Sequence, residues 1–355
     1  MSMMQEFKLS GVAIPHDAKG MLDEMCEHFI EHSVVERDGN LALLKGDTGV
    51  AALRLQDNRL LIELNCPSEQ AMQMTCNSIA EHLAYFAGED PFEISWSMPQ
   101  KPRILPDLHE VTVVSAEDVT PCMRRVKMAC DDLSPFAVDG MHVRLLIPPK
   151  DRPPVWPKLL PDGRTGWPEG EDELVARIYT IRAVDLERRE LWIDFFQHPS
   201  SVATPGADFA RDAQPGQRLA LVGPVGGGFP PVAKVLVAGD ETALPAIGRM
   251  LSEAAPHSRI QAIIEVNNAA EEQVLSSPAE LEVRWLHREA YQNGNGSSDT
   301  FGNVVKAAIA SMDEQTFVWV ACEKEELRSI KALLKQRGHD RKMMYAAWYW
   351  DRKQA

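Results

Sequence analysis

The spacing of apolar residues changes twice along the chain and divides it into three regions. In the last third, short apolar runs alternate with amphipathic segments, which predicts alternating strands and helices and a parallel sheet covered on both faces. In the middle third, apolar and polar residues alternate between turn residues, which predicts an antiparallel barrel. The first hundred residues combine the two patterns. The predicted fold class is therefore multidomain, with a small α+β domain at 1–97, an antiparallel β-barrel at 107–230 and a doubly wound α/β domain at 231–355.

The same patterns predict the individual elements. The barrel strands are HEVTVVSAED, MRRVKMAC, MHVRLLIP, ELVARIYTIRAV, ELWIDFFQH and RLALVGP, and the parallel strands are VAKVLVAGD, RIQAIIEVN, EVRWLH and TFVWVAC. A Pro- and Gly-rich loop, PPKDRPPVWPKLLPDGRTGWPEG, interrupts the barrel. A loop of this length inside a domain is usually functional or mobile.

Composition predicts a cytoplasmic globular protein. The chain has no apolar run of transmembrane length and no basic segment followed by an apolar one at its N-terminus. Its six cysteines are scattered without a CxxC pair, as free thiols in a reducing compartment usually are. The net charge of -15 argues against binding to nucleic acid or to an anionic membrane surface.

The charge is unevenly distributed along the chain. Residues 1–100 carry 16 acidic against 6 basic side chains, whereas residues 331–355 carry 7 basic against 2 acidic ones. The acidic N-terminal domain could dock a protein partner, and the basic tail could serve an anionic ligand. A solvated helix face is the simpler interpretation of the basic tail.

A first motif, RIYTIR, lies late in a predicted barrel strand. Arg177 and Tyr179 share one face of the strand because successive residues point to opposite faces. Arg177 suits a phosphate, since its planar fork donates two parallel hydrogen bonds. Tyr179 could stack on an isoalloxazine ring, and Thr180 could donate a hydrogen bond near its reactive nitrogen. An ordinary strand with a surface Arg and a core Tyr is the alternative.

Two further motifs lie at predicted helix starts. Pro205-Gly206 would open a helix whose free N–H groups could hold a pyrophosphate. Residues 239–246, GDETALPA, join the first parallel strand to its helix, where open α/β sheets bind ligands. Asp240 could instead cap that helix, and His198 could be either a ligand contact or a surface histidine.

Together these motifs resemble the siderophore-interacting protein family of NAD(P)H-dependent ferric-siderophore reductases, over roughly residues 108–350. GDETALPAI is the most specific match, RIYTIR resembles the family's flavin motif, and DFFQHPSSVATPGADFA is similar to its phosphate-binding segment. The resemblance implies FAD together with NADPH or NADH. The residues it places at these cofactors are Arg177, Ile178, Tyr179, Thr180, Phe196, His198, Thr204, Gly206, Ala207, Gly239, Asp240, Glu241, Thr242, Ala243, Cys322 and Glu323.

The C-terminus extends the resemblance to the substrate side. WYWDRKQ is similar to the family's Tyr-Trp-Arg ending. Ferric catecholates are often trianionic, so an acidic enzyme needs a local positive pocket. We therefore expect Trp350, Arg352 and Lys353 to contact a ferric siderophore.

The chain departs from the family pattern at four places. The usual His-Gly is His198-Pro199, the Ala-Ser-x-Trp-Ala helix start is Gly206-Ala207-Asp208-Phe209-Ala210, a glycine is replaced by Cys322, and the final arginine is replaced by Asp351. These changes affect the expected pyrophosphate and substrate contacts and leave the flavin motif in place.

The first 96 residues resemble a small domain family of unknown function. Cys26-Glu27-His28-Phe29, His82-Leu83 with Phe86, and Trp96 carry that resemblance. Cys26 and His28 point about 200° apart on a helix and cannot easily share one ion. Structural roles are therefore expected for Cys26, His28 and His82, and no metal site is predicted.

The resemblance implies a two-step reaction. Hydride passes from the nicotinamide to the flavin, and the reduced flavin gives single electrons to ferric iron, so no catalytic acid or base on the protein is required. The family resemblance favours NADPH, but no arginine follows the second parallel strand at Glu265-Val266-Asn267-Asn268 to bind a 2′-phosphate, so the choice between NADPH and NADH stays open. The alternatives are a flavin reductase with a quinone or iron–sulfur acceptor, and a non-catalytic siderophore-binding module.

Overall fold

The computed structural model describes residues 6–30, 33–98, 103–138, 140–198, 204–228, 230–292 and 300–352. The chain forms two compact units. The first comprises residues 1–108 with 149–174, and the second comprises residues 109–148 with 175–355.

The described residues form strands and helices in the following order. The strands are β1 (Phe7–Pro15), β2 (Val34–Asp38), β3 (Leu41–Gly46), β4 (Gly49–Gln56), β5 (Arg59–Cys66), β6 (Phe92–Trp96), β7 (Arg103–Ile104), β8 (Leu108–Thr120), β9 (Met123–Cys130), β10 (His142–Ile147), β11 (Lys158–Leu159), β12 (Thr165–Gly166), β13 (Val175–Asp185), β14 (Glu190–Phe196), β15 (Arg218–Val225), β16 (Lys234–Gly239), β17 (Arg259–Val266), β18 (Glu280–His287), β19 (Phe317–Glu323) and β20 (Met344–Trp350). The helices are α1 (Ala18–Phe29), α2 (Glu69–Ala87), α3 (Pro205–Asp212), α4 (Leu244–Ser252), α5 (Arg288–Gln292), α6 (Phe301–Ser311) and α7 (Lys324–Gln336).

The first unit contains a six-stranded antiparallel sheet packed on two helices. Its strand order is β2-β3-β4-β5-β1-β6. The side chain of Ser68 caps α2 by accepting the N–H of Ala71 at 3.1 Å, and Gly88, at φ +56°, ends that helix. Strand β1, which the sequence analysis did not predict, pairs with β5 and β6. The first and last strands of this sheet along the chain are therefore neighbours.

The long Pro- and Gly-rich loop belongs to the first unit. Its strands β11 and β12 form a small sheet with β7. The indole N–H of Trp96 donates to the carbonyl of Asp162 at 2.8 Å, and the amide of Asn77 donates to the carbonyl of Gly163 at 2.9 Å. Side chains of β6 and α2 therefore hold the loop against the N-terminal domain by donating to its backbone carbonyls.

The second unit begins with a closed antiparallel barrel in the order β10-β13-β14-β9-β8-β15. The six strands are the six that the alternating pattern predicted. Its interior is filled by apolar side chains such as Val126, Ile181, Ile193 and Phe195, all fully buried.

The parallel sheet follows, in the order β18-β17-β16-β19-β20. Helix α4 packs against one face, and α6 and α7 against the other, so the sheet is doubly wound. The predicted fold class is confirmed in all three parts. The segment 344–350 had been assigned to a basic tail, but it forms the edge strand β20, parallel to β19.

Helix α4 fastens the barrel to the α/β region. The guanidinium of Arg249, only 2% exposed, donates to the carbonyl of Phe136 at 2.9 Å and to that of Ile181 at 3.2 Å. These bonds hold α4 beside barrel strand β13, and the carboxyl end of β20 reaches β10 through Tyr349 and His142. Within the described part of the chain, every helix is too short or too polar to cross a membrane.

Candidate functional site

The barrel side of the site is built on β13. Tyr179 lies opposite Val143 of β10 and packs its ring on Phe195, with the ring centres 4.4 Å apart. Its hydroxyl lies against the start of α3, where a Cβ on Gly206 would come within 1.8 Å of the hydroxyl oxygen. Burial raises the pKa of Tyr179 to about 12, so the phenol stays protonated. The structure thus brings two predicted residues, Tyr179 and Gly206, into direct contact.

The N-terminus of α3 presents uncapped donors beside them. The Thr204 side chain makes no capping hydrogen bond, and Gly206 and Ala207 lie buried in the first turn. Arg177 is exposed on the Tyr179 face of β13. Free N–H groups and a guanidinium are the kinds of donor that a pyrophosphate needs, so these residues fit the phosphates of FAD in their chemistry. The negative charge of Asp208 in the first turn of α3 would repel a phosphate, but Arg211 pairs with that carboxylate at 2.8 Å and offsets part of the charge.

A buried hydrogen-bonded chain connects β13 to the C-terminal strand. The hydroxyl of Thr180 lies 3.2 Å from Nδ1 of His142, and Nε2 of His142 lies 3.1 Å from the hydroxyl of Tyr349. Burial, reinforced by the charge of Arg249, lowers the pKa of His142 to about 4, so the imidazole is neutral. His142 was not predicted, because no local signal distinguishes it from other residues of an alternating strand.

The other predicted barrel residues lie in β13 or at and just after the end of β14. Phe196 and His198 have ring centres 4.8 Å apart. Both are half-buried, and burial lowers the pKa of His198 while the charge of Glu241 opposes that shift. Ile178 is 70% exposed and points away from the barrel interior, so it offers an apolar surface rather than a hydrogen bond.

The turn after β16 forms the opposite side of the site. A Cβ on Gly239 would meet that of Ala243 at 2.5 Å, so the glycine allows the strand and helix to approach closely. The carboxylate of Asp240 accepts hydrogen bonds from the Thr242 backbone at 2.9 Å and from the indole of Trp350 at 2.7 Å. Burial raises the pKa of Asp240 to about 6, although these two hydrogen bonds act to lower it.

A cluster of charges lies at the carboxyl ends of β16, β17 and β18. Arg288 binds both carboxylate oxygens of Glu241 at 2.7 Å, and its Nη2 and Nε donate to Glu265 at 2.8 and 3.1 Å. The hydroxyl of Tyr291 also donates to Glu265. Both carboxylates are almost fully buried. Burial opposes ionisation of Arg288, but the hydrogen bonds and charges of the two glutamates outweigh it and raise its pKa.

The structure separates two predicted residues at the end of β19. Cys322 is 1% exposed and lies in the core under α6 and α7. Glu323 caps α7, because its carboxylate accepts the N–H groups of Glu325 at 2.8 Å and Glu326 at 3.1 Å. Glu326 lies in the first turn of α7. Its burial, and to a smaller extent the charge of Glu265, raise the pKa of its carboxyl group to about 7.

The predicted substrate residues follow β20. Trp350 is fixed by Asp240, and the exposed Arg352 lies 6.0 Å over the Trp350 ring. Lys353 lies outside the described residues. Sequence reasoning missed Lys324, whose ammonium pairs with Asp351 at 2.8 Å and lies 5.2 Å over the exposed ring of Trp348.

The described residues contain no group of three or more His, Cys, Asp or Glu side chains placed to hold a metal ion. Cys26 and His28 turn to different neighbours, as their helical spacing predicted. The Cys26 thiol accepts from Arg37 at 3.2 Å, whereas His28 faces His82.

Three family models match the chain. Residues 112–228 match a siderophore-interacting FAD-binding domain, and residues 232–353 match the family described as siderophore-interacting protein. Residues 11–97 match an uncharacterised protein family conserved in bacteria (DUF2218).

Individual relatives match about 70% of the chain. A ferric vibriobactin reductase from Vibrio cholerae is 28% identical over 257 residues, which are 70% of this chain and 91% of the relative. The crystal structure of a siderophore utilization protein from T. fusca is 31% identical with a TM-score of 0.54, covering 72% of this chain and 95% of that one. A siderophore-interacting protein from Aeromonas hydrophila is 26% identical with a TM-score of 0.55, covering 71% and 92%.

Proposed function

Because the chain belongs to the siderophore-interacting protein family, we propose that it reduces ferric siderophores with electrons that pass from a nicotinamide cofactor through FAD. Family membership confirms the resemblance drawn from the motifs. The observation that carries the proposal is the convergence of the barrel motif and the β16 turn at one place, joined by Arg249 and by the Thr180–His142–Tyr349 chain.

The side chains on the barrel would hold FAD. Arg177 and the first-turn N–H groups of α3 would bind its phosphates, and Tyr179 would pack beside it. Thr180 is held by His142, which keeps its hydroxyl in one orientation. FAD supplies the conversion of a two-electron donor into single electrons. Because the imidazole ring of His142 is neutral and buried, it would position Thr180 and not exchange protons with solvent.

We further propose that the nicotinamide cofactor is NADH. An acidic residue at the end of the second strand of such a sheet typically binds the ribose hydroxyls, whereas a free arginine accommodates a 2′-phosphate. Here Glu265 is the last residue but one of β17, and Arg288 is already bound by two buried glutamates. Arg288, Glu241 and Glu265 together carry one net negative charge, which repels a phosphate and favours a hydroxyl.

The surface beside β20 supports an anionic aromatic substrate. Lys324 and Arg352 supply positive charge, and the exposed face of Trp348 supplies a flat apolar surface. Ferric catecholates combine negative charge with aromatic rings, and oxygen ligands hold Fe(III) much better than Fe(II), so reduction releases the metal. We place this activity in the cytoplasm, where nicotinamide cofactors are available. Docking of a protein partner by the acidic N-terminal domain stays a prediction.

Visible spectroscopy of the purified protein under anaerobic conditions tests the proposal. We expect flavin absorption bands that bleach on addition of NADH and return when a ferric tris-catecholate is added. Bleaching without reoxidation by either a ferric catecholate or a ferric hydroxamate would reject the substrate and favour a quinone or iron–sulfur acceptor. A colourless protein that cannot be reconstituted with FAD would reject the reductase and leave a siderophore-binding module.

A further inference from the structure

Two histidines of the N-terminal domain converge on one point at its surface. Nε2 of His28, on α1, lies 3.1 Å from Nε2 of His82, on α2. Nδ1 of His82 lies 2.7 Å from the carbonyl oxygen of Ser78. A carbonyl only accepts hydrogen bonds, so this nitrogen carries the proton and Nε2 of neutral His82 presents a lone pair. Metal-binding histidines typically have this arrangement, with the far nitrogen donating to a backbone carbonyl.

The relative position of the two rings fits a shared ion better than a straight hydrogen bond. The ring centres are 4.8 Å apart. If His28 donated a straight N–H···N bond over 3.1 Å, this separation would turn the His82 lone pair about 70° away from the donor, a poor geometry. Two imidazoles bound to one ion at about 2.1 Å, with nitrogens 3.1 Å apart, subtend about 95° at the ion and have centres about 4.8 Å apart.

The surroundings allow an ion to enter and limit which ion fits. Both histidines are half-buried, and the neighbouring Tyr85 is 78% exposed, so the site opens to solvent. The rings of Phe29 and Phe86 lie 5.8 and 5.7 Å from His28 and position it. An angle near 90° is that of neighbouring ligands in octahedral coordination, and imidazole suits iron and the later divalent metals.

We propose that His28 and His82 bind a divalent transition-metal ion, with water or a small ligand in its other coordination positions, and that this ion is Fe(II). No third metal-binding side chain joins them in the described part of the chain, so the ion would be held weakly and exchange readily. The metal class follows from the geometry. Its assignment as Fe(II) rests on the proposed function, because reduction of a ferric siderophore produces Fe(II).

Anaerobic calorimetric titration of the full-length protein with Fe(II), and in parallel with Co(II), tests the site. We expect one ion per chain with either metal. His28→Ala and His82→Ala should each weaken binding at least tenfold, whereas His257→Ala, which removes an exposed histidine of the α/β region, should leave it unchanged. His28→Gln and His82→Gln serve as second variants, checked for folding by circular dichroism.

The two proposals can fail separately. Absence of saturable binding of both metals, or equal binding by the wild type and folded His82→Gln, would refute the site whether or not the flavin reacts. Binding of Co(II) at the site without Fe(II) would retain the metal site and refute its assignment to iron. Binding of Fe(II) by a protein that does not reduce ferric siderophores would retain the site and reject the reductase.

Discussion

Replacing Glu265 with glutamine should change which nicotinamide cofactor the protein prefers. In the native chain the Glu265 carboxylate lies 2.8 Å from Nη2 of Arg288, which also binds Glu241. The substitution removes one negative charge and leaves the bidentate pair of Arg288 with Glu241 intact. The net charge of the cluster rises from -1 to zero, so a phosphate is no longer repelled.

The size of the effect follows from Coulomb's law. A 2′-phosphate with about -1.5 charges that reached Arg288 would lie roughly 6 Å from the Glu265 carboxylate. At an effective dielectric constant of about 40, between those of a protein surface and bulk water, the repulsion is about 2 kcal/mol. Its removal corresponds to roughly 30-fold in affinity. The same change should weaken binding of a ribose hydroxyl several-fold, since a charged acceptor is lost.

Calorimetric titration of the FAD-loaded protein with adenosine fragments measures this without turnover. Wild-type protein should bind 5′-AMP more tightly than 2′,5′-ADP, and Glu265→Gln should reverse or abolish that preference. Glu280→Gln is the matched control, because Glu280 pairs with Arg259 at the opposite ends of β17 and β18. Tighter binding of 2′,5′-ADP by the wild type, or a ratio in Glu265→Gln within twofold of wild type, would refute the reasoning.

Three further substitutions test the rest of the site. Asp351→Asn removes the carboxylate that pairs with Lys324. It should lower KM for a trianionic ferric catecholate about fivefold at low salt and leave KM for an uncharged ferric hydroxamate unchanged. An equal change for both substrates would contradict the charge argument. Gly206→Ala would bring a methyl group within 1.8 Å of the Tyr179 hydroxyl oxygen and should weaken FAD binding, measured by flavin fluorescence, at least tenfold. Gly302→Ala is the control and should not weaken it, because Gly302 has open space where a Cβ would lie. FAD binding equal to wild type in Gly206→Ala would show that the contact is unimportant. His142 is neutral when folded, and its lowered pKa means that the unfolded chain binds more protons between about pH 4 and 6.5. Stability therefore decreases as the pH is lowered through that window, by about 2 kcal/mol at pH 5. His142→Gln should therefore lose less Tm between pH 7 and pH 5 than wild type, and an equal loss would mean that another group controls the acid side.

The strands and helices of this protein are largely determined by its sequence, because the apolar period is a local property. The six barrel strands and the strands β16 to β19 with their helices each carry enough alternation or helical spacing to be recognised alone. The cofactor motifs were also recognisable, because GDETALPAI and RIYTIR occupy continuous segments in which every residue of the motif is present.

Pairing between distant segments was decided only by the tertiary structure. Strand β1 lies between β5 and β6, and the proline-rich loop is held by Trp96 and Asn77, which lie about 65 to 90 residues away. Nothing local identifies these partners, since the main-chain groups that accept or exchange these hydrogen bonds carry no sequence signature. The aromatic segment that forms β20 had no clear alternation and became a strand by pairing with β19.

The arrangement of the side chains that set the chemistry of the site was likewise decided only by the tertiary structure. Arg288, Glu241 and Glu265 are 23 to 47 residues apart, and His142 lies 207 residues from Tyr349. Each alone is an ordinary charged or polar residue. A charge acquires its effect from what surrounds it, because burial and the nearest opposite charge set its pKa and its availability to a ligand. The sequence therefore determined the cofactor class and the fold, whereas the proposal that the cofactor is NADH rests on the folded arrangement of distant carboxylates around one arginine.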